Sequence, residues 1–255
     1  MIAIVAIFIL LFASAARASD IAVALTDDVI EVDAGFFGAH FVLFGAVTGT
    51  DDPEGHDIVA VVRGPPTTFR IRPMVRERAI WRAGPAIDIE GEPGLLLALA
   101  TRPLADVAPA ATLRDLGAAA DPERIAASLA PRSDAAARHL ESGGAQIVGA
   151  AFINDGLRTG RVRETSGAVR FRKGGLFSID VALPPRTPVG AYSVETFLLR
   201  DGAVVARDNA ALAVDKVGVE RRIFELAHRR PFAYGLACVS IALAAGWLAA
   251  AAFRK

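Results

Sequence analysis

Residues 177–207 read FSIDVALPPRTPVGAYSVETFLLRDGAVVAR and contain the clearest folding signal in the chain. Along Phe177–Leu183, apolar residues alternate with small or polar ones, which is the period of a β-strand with one buried face. Asp201-Gly202 then separates two further apolar runs, Ala191–Arg200 and Ala203–Arg207. Both central residues of a two-residue hairpin turn need a positive φ, which Asp-Gly adopts readily. The segment therefore predicts antiparallel β-structure.

The same pattern extends outward on both sides of this segment. Short apolar runs separated by Gly- and Pro-rich turns fill residues 21–101, which is typical of an antiparallel sandwich. The predicted strands there are Ile21–Leu25, Val29–Val32, His40–Val47, Ile58–Arg63, Thr67–Arg72, Ala86–Ile89 and Leu95–Thr101, and Ala210–Asp215 adds a last strand after the hairpin. Alternation in one of them places Phe69 and Ile71 on a buried face and Arg70 and Arg72 in water.

Between these two β-rich parts, residues 112–157 are rich in Ala and indicate helices. Asp121-Pro122-Glu123 has the capping carboxylate, first-turn proline and acid that open a helix, which we expect to end at Pro131. A second helix is predicted from Ser133 to the residue before Gly143-Gly144. A third covers residues 146–154, although the same residues also fit a strand.

Composition limits the class of protein. The 255 residues include 28 Lys+Arg and 28 Asp+Glu, 53% are hydrophobic, and the mean hydropathy is +0.40. Neutral charge with this apolar fraction argues against a nucleic-acid-binding protein and against a disordered chain. The single cysteine, Cys238, excludes a disulfide scaffold and a cysteine-based zinc site.

The apolar excess is concentrated at the two ends of the chain. Ile2–Ala16 carries no charge and leads into Ala16-Arg17-Ala18, which predicts a cleaved secretory signal at residues 1–18, with an uncleaved anchor as the alternative. Phe232–Phe253 is 22 residues without charge, about 33 Å as a helix, and Arg254 and Lys255 follow it. We predict a transmembrane helix there.

Charge near this helix bears on orientation and on lipid contact. The segment 217–231 is basic and amphipathic, and we expect it to lie along lipid headgroups. More arginines precede the span than follow it, which by count alone places the large domain inside the cell. A long domain exported by a signal translocates largely regardless of such charges. We therefore expect a single-pass inner-membrane protein with its large domain in the periplasm.

The expected fold is mainly β, with two β-sandwich-like (Ig-like) ectodomain modules, a short helical segment between them and one C-terminal transmembrane helix. The predicted segments are a signal peptide at 1–18, an N-terminal β-sandwich at 19–109, a helical connector at 110–157, a C-terminal β-rich module at 158–216, a juxtamembrane helix at 217–231, a transmembrane helix at 232–253 and a cytoplasmic tail at 254–255.

Two groups of charged residues are candidate sites in the ectodomain. Asp51, Asp52, Glu54 and Asp57 crowd a Gly/Pro loop with His56 and are candidate cation ligands, but their order does not match an EF-hand, and a solvated hairpin tip is the competing interpretation. Arg63 to Arg82 contains six basic residues against Glu77 alone, which suggests an anion-binding face or paired strand faces. Arg63 and Arg102, each beside a proline turn, are the interaction candidates.

Within the anchor, Ala242, Gly246 and Ala250 share one helix face and permit close approach of another helix, although Ala is common in this chain. Elsewhere the chain lacks a metalloprotease helix, a nucleophile elbow and a phosphate loop. We therefore expect no enzyme activity and no cofactor.

Several runs resemble one known family. These runs are Val42-Leu43-Phe44-Gly45-Ala46, Val61-Val62-Arg63-Gly64-Pro65, Ala79-Ile80-Trp81, Thr101-Arg102-Pro103-Leu104, Pro188-Val189-Gly190-Ala191-Tyr192 and Lys216-Val217-Gly218-Val219-Glu220-Arg221. With the final span, they resemble the family of putative alphaproteobacterial transmembrane proteins over nearly the whole mature chain. The resemblance implies membrane location and a strand-rich ectodomain. It also implies a permease-like partner, since the family lies near sulfite-exporter-like permeases in genomes.

These observations favour a membrane-anchored accessory or interaction protein. Its expected partners are membrane lipid and another, permease-like membrane protein, and nucleic acid is not among them. A solute- or cation-binding ectodomain is the alternative function, and an enzyme is the third class considered. Co-purification of a membrane protein would favour the first, and stabilisation by a ligand would favour the second.

Overall fold

The computed structural model describes residues 19–33, 36–77, 79–216, 227–228 and 231–252. The signal peptide, most of the juxtamembrane segment and the tail therefore lie outside the described residues. The chain divides into two units, Met1–Ile30 with Phe37–Val214, and Glu31–Phe36 with Asp215–Lys255.

Strands make up most of the first unit. They are β1 Asp20–Leu25, β2 Val29–Val32, β3 Ala39–Thr48, β4 Asp57–Arg63, β5 Pro66–Ile71, β6 Met74–Glu77, β7 Ile80–Ala83, β8 Ile87–Pro93, β9 Leu96–Ala100, β10 Leu129–Pro131, β11 Val162–Ser166, β12 Val169–Phe171, β13 Leu176–Leu183, β14 Gly190–Arg200 and β15 Ala203–Lys216. The seven strands predicted within residues 21–101 each begin within one residue of β1–β5, β8 and β9. The mainly β prediction is confirmed.

Helices follow in the middle of the chain and at its end. They are α1 Leu104–Val107, α2 Ala110–Asp115, α3 Pro122–Ala127, α4 Asp134–His139, α5 Ala145–Thr159 and α6 Pro231–Ala252, and a π-helical turn, Leu140–Gly144, joins α4 to α5. The ambiguous segment at 146–154 is thus helical.

The predicted helix boundaries were correct at the start of a helix more often than at its end. Asp121 caps α3 by accepting from the Glu123 amide, and Ser133 caps α4 by accepting from the Ala136 amide. The prediction that the first helix ends at Pro131 was wrong, because α3 stops at Ala127 and Pro131 belongs to β10, which pairs with β8. Pairing with a distant strand overrides the local helical pattern there.

One sheet has the order β1-β3-β13-β12. Its central pair, β3 and β13, is antiparallel and brings Ile179 opposite Leu43 and Phe177 opposite Gly45. The predicted alternation along β13 is confirmed, since Phe177, Ile179, Val181 and Leu183 are all buried. Gly45 is required by close approach, because a Cβ there would lie 2.3 Å from the Ala22 carbonyl oxygen and 2.7 Å from the Phe177 ring.

The largest sheet has six strands in the order β11-β9-β4-β14-β15-β2. β14 and β15 form the predicted hairpin, and Asp201 and Gly202 have φ values of 51° and 79°, as its turn requires. β15 is one strand of 14 residues, so the separately predicted strand at 210–215 is its second half. On one face of this sheet, buried apolar residues of β4, β9 and β14 pack against α1 and α2.

A three-stranded sheet, β10-β8-β5, packs against the remaining helices of the unit. Ile87 of β8 clusters with Ala136 of α4 and Val148 of α5. Ile89 clusters with Ile125 of α3 and Phe152 of α5. β6 and β7 pair only with each other and make a two-stranded sheet that was not predicted.

The sheets mix the two segments that were expected to form separate modules. β13, from residues 158–216, pairs with β3, and β14 pairs with β4, both from residues 19–109. The helical connector lies between these segments in sequence. Its helices α3, α4 and α5 pack against the three-stranded sheet, and α2 packs against the six-stranded sheet. Strand pairing therefore joins the N-terminal and C-terminal segments, because an apolar alternation fixes which face is buried but not which strand lies alongside.

In the second unit, α6 spans 22 residues and contains no acidic or basic side chain in its end turns. Most of its described large side chains are exposed, including Phe232 at 95% and Trp247 at 72%, whereas Tyr234 is partly buried. Among the residues that the structure describes, no helix is long and apolar enough to cross a membrane. Phe253, Arg254 and Lys255 lie outside the described residues.

Candidate functional site

A polar groove lies beside the C-terminal end of α2 and is lined by residues of β14 and β15 of the six-stranded sheet. Its volume is about 360 Å³, and its lining includes Arg63, Asp115, Glu195, Arg207 and Asp208. The register of the β14–β15 pair places these residues side by side, because Glu195 of β14 lies opposite Asn209 of β15 and Phe197 lies opposite Arg207. Polar side chains of both strands thereby come to the edge of the apolar cluster beneath α1 and α2.

Arg63, predicted as an interaction residue, is partly neutralised inside this groove. Its Nη1 donates to Glu195 Oε2 at 2.6 Å, and its Nη2 donates to the Leu116 carbonyl oxygen. The side chain is only 25% exposed. Arg207 is exposed, and no carboxylate of the described residues pairs with it. The groove thus combines one unpaired guanidinium with three carboxylates, which suits a small polar ligand that carries a negative group together with a positive or hydrogen-bond-donating one.

Arg102, the second interaction candidate, is engaged within the chain. Its Nε and Nη2 donate to the two carboxylate oxygens of Asp57 at 2.8 Å and 2.6 Å. This two-point hydrogen bonding raises the pKa of the Arg102 guanidinium. The pair ties the start of β4 to the segment after β9, so the side chain acts as a structural link in this conformation.

The acidic loop arranges its side chains for turn formation. Asp52 Oδ1 accepts from the Gly55 amide at 3.0 Å, and the buried His56 ring places Nδ1 2.9 Å from the Asp52 carbonyl oxygen. Asp57 points to Arg102. Asp51 and Glu54 line a separate groove together with Arg172 and Lys173. Across the part of the chain that the structure describes, no group of three or more His, Cys, Asp or Glu residues is placed to hold a metal ion.

A buried carboxylate on β8 was not predicted as a site. Asp88 accepts from Arg70 Nε at 2.8 Å and from Arg132 Nη1 at 2.8 Å. Hydrogen bonds from these two guanidinium groups lower the pKa of Asp88 to about 2. Arg70, expected in water, has a side chain that is 58% exposed, and it also joins β5 to β8 through this ion pair. The one sequence signal for this pair is the presence of an aspartate, Asp88, inside an otherwise apolar predicted strand.

A second cluster involves Glu92, Arg124 and Arg161. Arg124 Nη2 donates to the buried Glu92 at 2.9 Å, and burial raises the pKa of Glu92. The Arg161 guanidinium carbon lies 3.9 Å from the Phe152 ring centroid and 4.7 Å from that of Phe69. Burial lowers the pKa of Arg161. These contacts join α5, β5 and β8 and are structural in character.

Among the described strands, the β6–β7 hairpin carries the most exposed large apolar side chains. Met74, Ile80 and Trp81 are 59%, 67% and 61% exposed. Arg72, Arg76 and Arg82 lie on the hairpin or at its base. The excess of arginines here is visible in the sequence, but the two strands were not predicted. Pro73 and Gly84-Pro85 bracket the hairpin and are the turn signals from which it could have been predicted.

Ala242, Gly246 and Ala250, the residues of the predicted helix-packing face, all lie on α6. Ala242 and Gly246 are both exposed, and nothing lies within 4 Å of a Cβ added at Gly246. The side chain of Ala250 lies outside what the structure describes. The described part of this face is therefore free to meet another helix.

Comparison with protein families gives one match. The model of a family described as Putative transmembrane protein (Alph_Pro_TM) matches residues 20–255. No curated protein matches the chain. The match confirms the family resemblance drawn from the sequence runs, and it spans both the β-rich unit and α6.

Proposed function

Because the chain belongs to the family described as Putative transmembrane protein (Alph_Pro_TM), we propose that it is a non-catalytic, membrane-anchored accessory protein that presents its β-rich domain to a membrane-protein partner. The family match supports location at a membrane.

The observation that carries the proposal is the state of α6. The sequence of residues 232–253 contains no charged side chain, and the described apolar side chains of α6 are exposed along the helix. Phe232, Ile241 and Leu248 project into the surroundings instead of into a core. Such a helix is stable in hydrocarbon, where its backbone groups are satisfied internally. We infer that residues 232–253 form a single span.

Topology follows from this anchor and from the N-terminal apolar run. We propose that residues 1–18 direct export, that the span crosses the inner membrane once, and that the β-rich domain lies in the periplasm. N-terminal sequencing of the membrane-bound protein should begin at or near Ser19. Retention of Met1, together with protease protection that places the domain in the cytoplasm, would refute this topology.

The exposed small residues Ala242 and Gly246 support contact between α6 and a partner helix. Small side chains let two backbones approach closely in a membrane, where helix association depends on packing. We expect Gly246→Leu to abolish co-purification of a membrane-protein partner in mild detergent. Leu is more apolar than Gly, so insertion should be retained.

Ala244→Leu is the matched control, because it adds a similar side chain about 200° around the helix from Gly246. It should leave co-purification unchanged. If Gly246→Leu retains every partner that the unaltered protein retains, the span serves only as a tether, and a partner would have to be recognised by the β-rich domain.

For the architecture of that domain, we propose that the four-stranded and six-stranded sheets face each other as an Ig-like sandwich. Alternate residues of β13 are buried, β4 is buried on both faces for most of its length, and β14 is buried on both faces over Thr196–Leu199. Tyr192 is buried, and its hydroxyl donates to the Pro188 carbonyl oxygen at 2.6 Å. A tyrosine that bonds to the backbone a few residues upstream is a feature of such sandwiches.

The groove beside Arg63 favours a second candidate function, the binding of a small solute. Its unpaired Arg207 is the group that would meet an anionic ligand. Under this alternative, a panel of small carboxylates should include one that raises the melting temperature of the unaltered protein. Arg207→Gln should lose that rise, and Arg186→Gln, an exposed arginine outside the groove, should keep it.

A further inference from the structure

The β6–β7 hairpin extends from the ribbon formed by β5 and β8. The last β5–β8 pair is Ile71 with Ile87, and beyond it the Gly84 amide donates to the Pro73 carbonyl oxygen at 2.7 Å. β6 and β7 then pair as a sheet of their own. A two-stranded hairpin without further support is marginal in water. The exposed β6–β7 hairpin would therefore be stabilised by a surface that covers it.

Both faces of the hairpin carry apolar and basic residues. Cross-strand partners share a face, and Arg76 pairs with Trp81 while Met74 pairs with Ala83. The opposite face holds Val75, which pairs with Arg82, and also Ile80, which pairs with Glu77. Each face thus combines at least one large apolar side chain with one arginine.

This pattern on both faces distinguishes between the kinds of surface that could cover the hairpin. A protein surface would cover one face of the hairpin and leave the apolar side chains of the other face in water. A lipid headgroup layer surrounds an inserted arm on both sides. Trp81 has an amphipathic ring of the kind enriched at that depth, and guanidinium groups bind lipid phosphate.

We propose that the β6–β7 hairpin inserts into the headgroup layer of a membrane that contains anionic phospholipid. Met74, Ile80 and Trp81 enter the boundary with the acyl chains, while Arg72 and Arg76 contact lipid phosphates. Neither of these two arginines has an ion-pair partner within the described part of the chain. The inference rests on membrane anchoring of the chain and is independent of a protein partner.

The chain has two tryptophans, so Trp247→Phe leaves Trp81 as the only indole reporter. This full-length variant is placed in lipid nanodiscs of phosphatidylcholine, with and without phosphatidylglycerol, and part of the phosphatidylcholine is brominated to quench nearby tryptophan. We expect Trp81 emission to shift to shorter wavelength and to be quenched at least about twofold more in the anionic discs. Raising the salt concentration should reduce this difference.

In the same background, Arg72→Gln with Arg76→Gln should remove the extra quenching in anionic discs. The matched control, Arg138→Gln with Arg186→Gln, removes two exposed arginines elsewhere and should retain it. All four positions are exposed, so the substitutions are expected to leave folding intact. Co-elution with the discs reports anchoring separately, so that failure of anchoring is not confused with failure of the hairpin to insert.

Trp81 emission typical of water in both kinds of disc, in protein that co-elutes with them, would overturn the proposal. Equal quenching in neutral and anionic discs would overturn the role of lipid charge. A shift of Trp81 emission that appears only when native membrane proteins are co-reconstituted would assign the hairpin to a protein partner and would also overturn it.

Discussion

Replacing Ile179 by Ala tests whether the N-terminal and C-terminal strands form one cooperative structure. Ile179 lies on β13, is fully buried and faces Leu43 across the strand pair. The substitution removes three carbon atoms, which at about 0.8 kcal/mol per buried methylene costs about 2.4 kcal/mol. The cavity left behind raises the loss of unfolding free energy to about 3–4 kcal/mol.

Hydrogen exchange measured by mass spectrometry on the full chain in detergent provides the assay. A loss of about 3 kcal/mol speeds exchange that proceeds through global unfolding by about 150-fold. Because β13 pairs with β3 and β14 pairs with β4, we expect this increase in peptides from residues 39–63 as well as in peptides from residues 190–216. Ser178→Ala, on the less buried face of β13, is the control and should change exchange little. Faster exchange confined to residues 158–216 would refute the shared core and restore the two-module interpretation.

Two further predictions concern the charged clusters of the three-stranded sheet. The pKa of Asp88 is about 2 in the folded protein, against an ordinary value of 3.8. The ionised carboxylate therefore stabilises the fold above about pH 4. This stabilisation is lost as the pH falls from about 4 towards 2. Asp88→Asn should therefore melt at a lower temperature than the unaltered protein at pH 7. This difference in melting temperature should become smaller between about pH 4 and pH 2, and a difference that stays constant with pH would contradict the argument. Arg161→Lys should lose about 1 kcal/mol in urea unfolding, because an ammonium cannot stack on Phe152 as the planar guanidinium does. Arg158→Lys, whose side chain is 78% exposed, should be neutral, and equal losses for the two substitutions would count against the stacking role.

The clearest successes of sequence reasoning concern features encoded by neighbouring residues. The Asp201-Gly202 turn, the alternation of β13 and the cap at Asp121 were all predictable, because each depends on the φ preference, side-chain period or hydrogen-bonding group of a few consecutive residues. The excess of arginines between Arg63 and Arg82 was visible in the same way. The sequence did not show that one of these arginines, Arg70, forms a structural ion pair while others lie on an exposed hairpin around Trp81.

Only the tertiary structure decided which strands lie side by side and which charges meet. Arg102 and Asp57 are 45 residues apart in sequence, and Arg63 and Glu195 are 132 apart, yet each pair is within hydrogen-bond distance. No local pattern specifies such a meeting, because a strand's alternation defines a buried face and leaves its neighbour open. The sequence by itself determined the local elements and the apolar C-terminal segment. Long-range pairing of β3 with β13 and of β4 with β14 decided the rest, since the free energy that selects those partners comes from packing both segments into shared sheets.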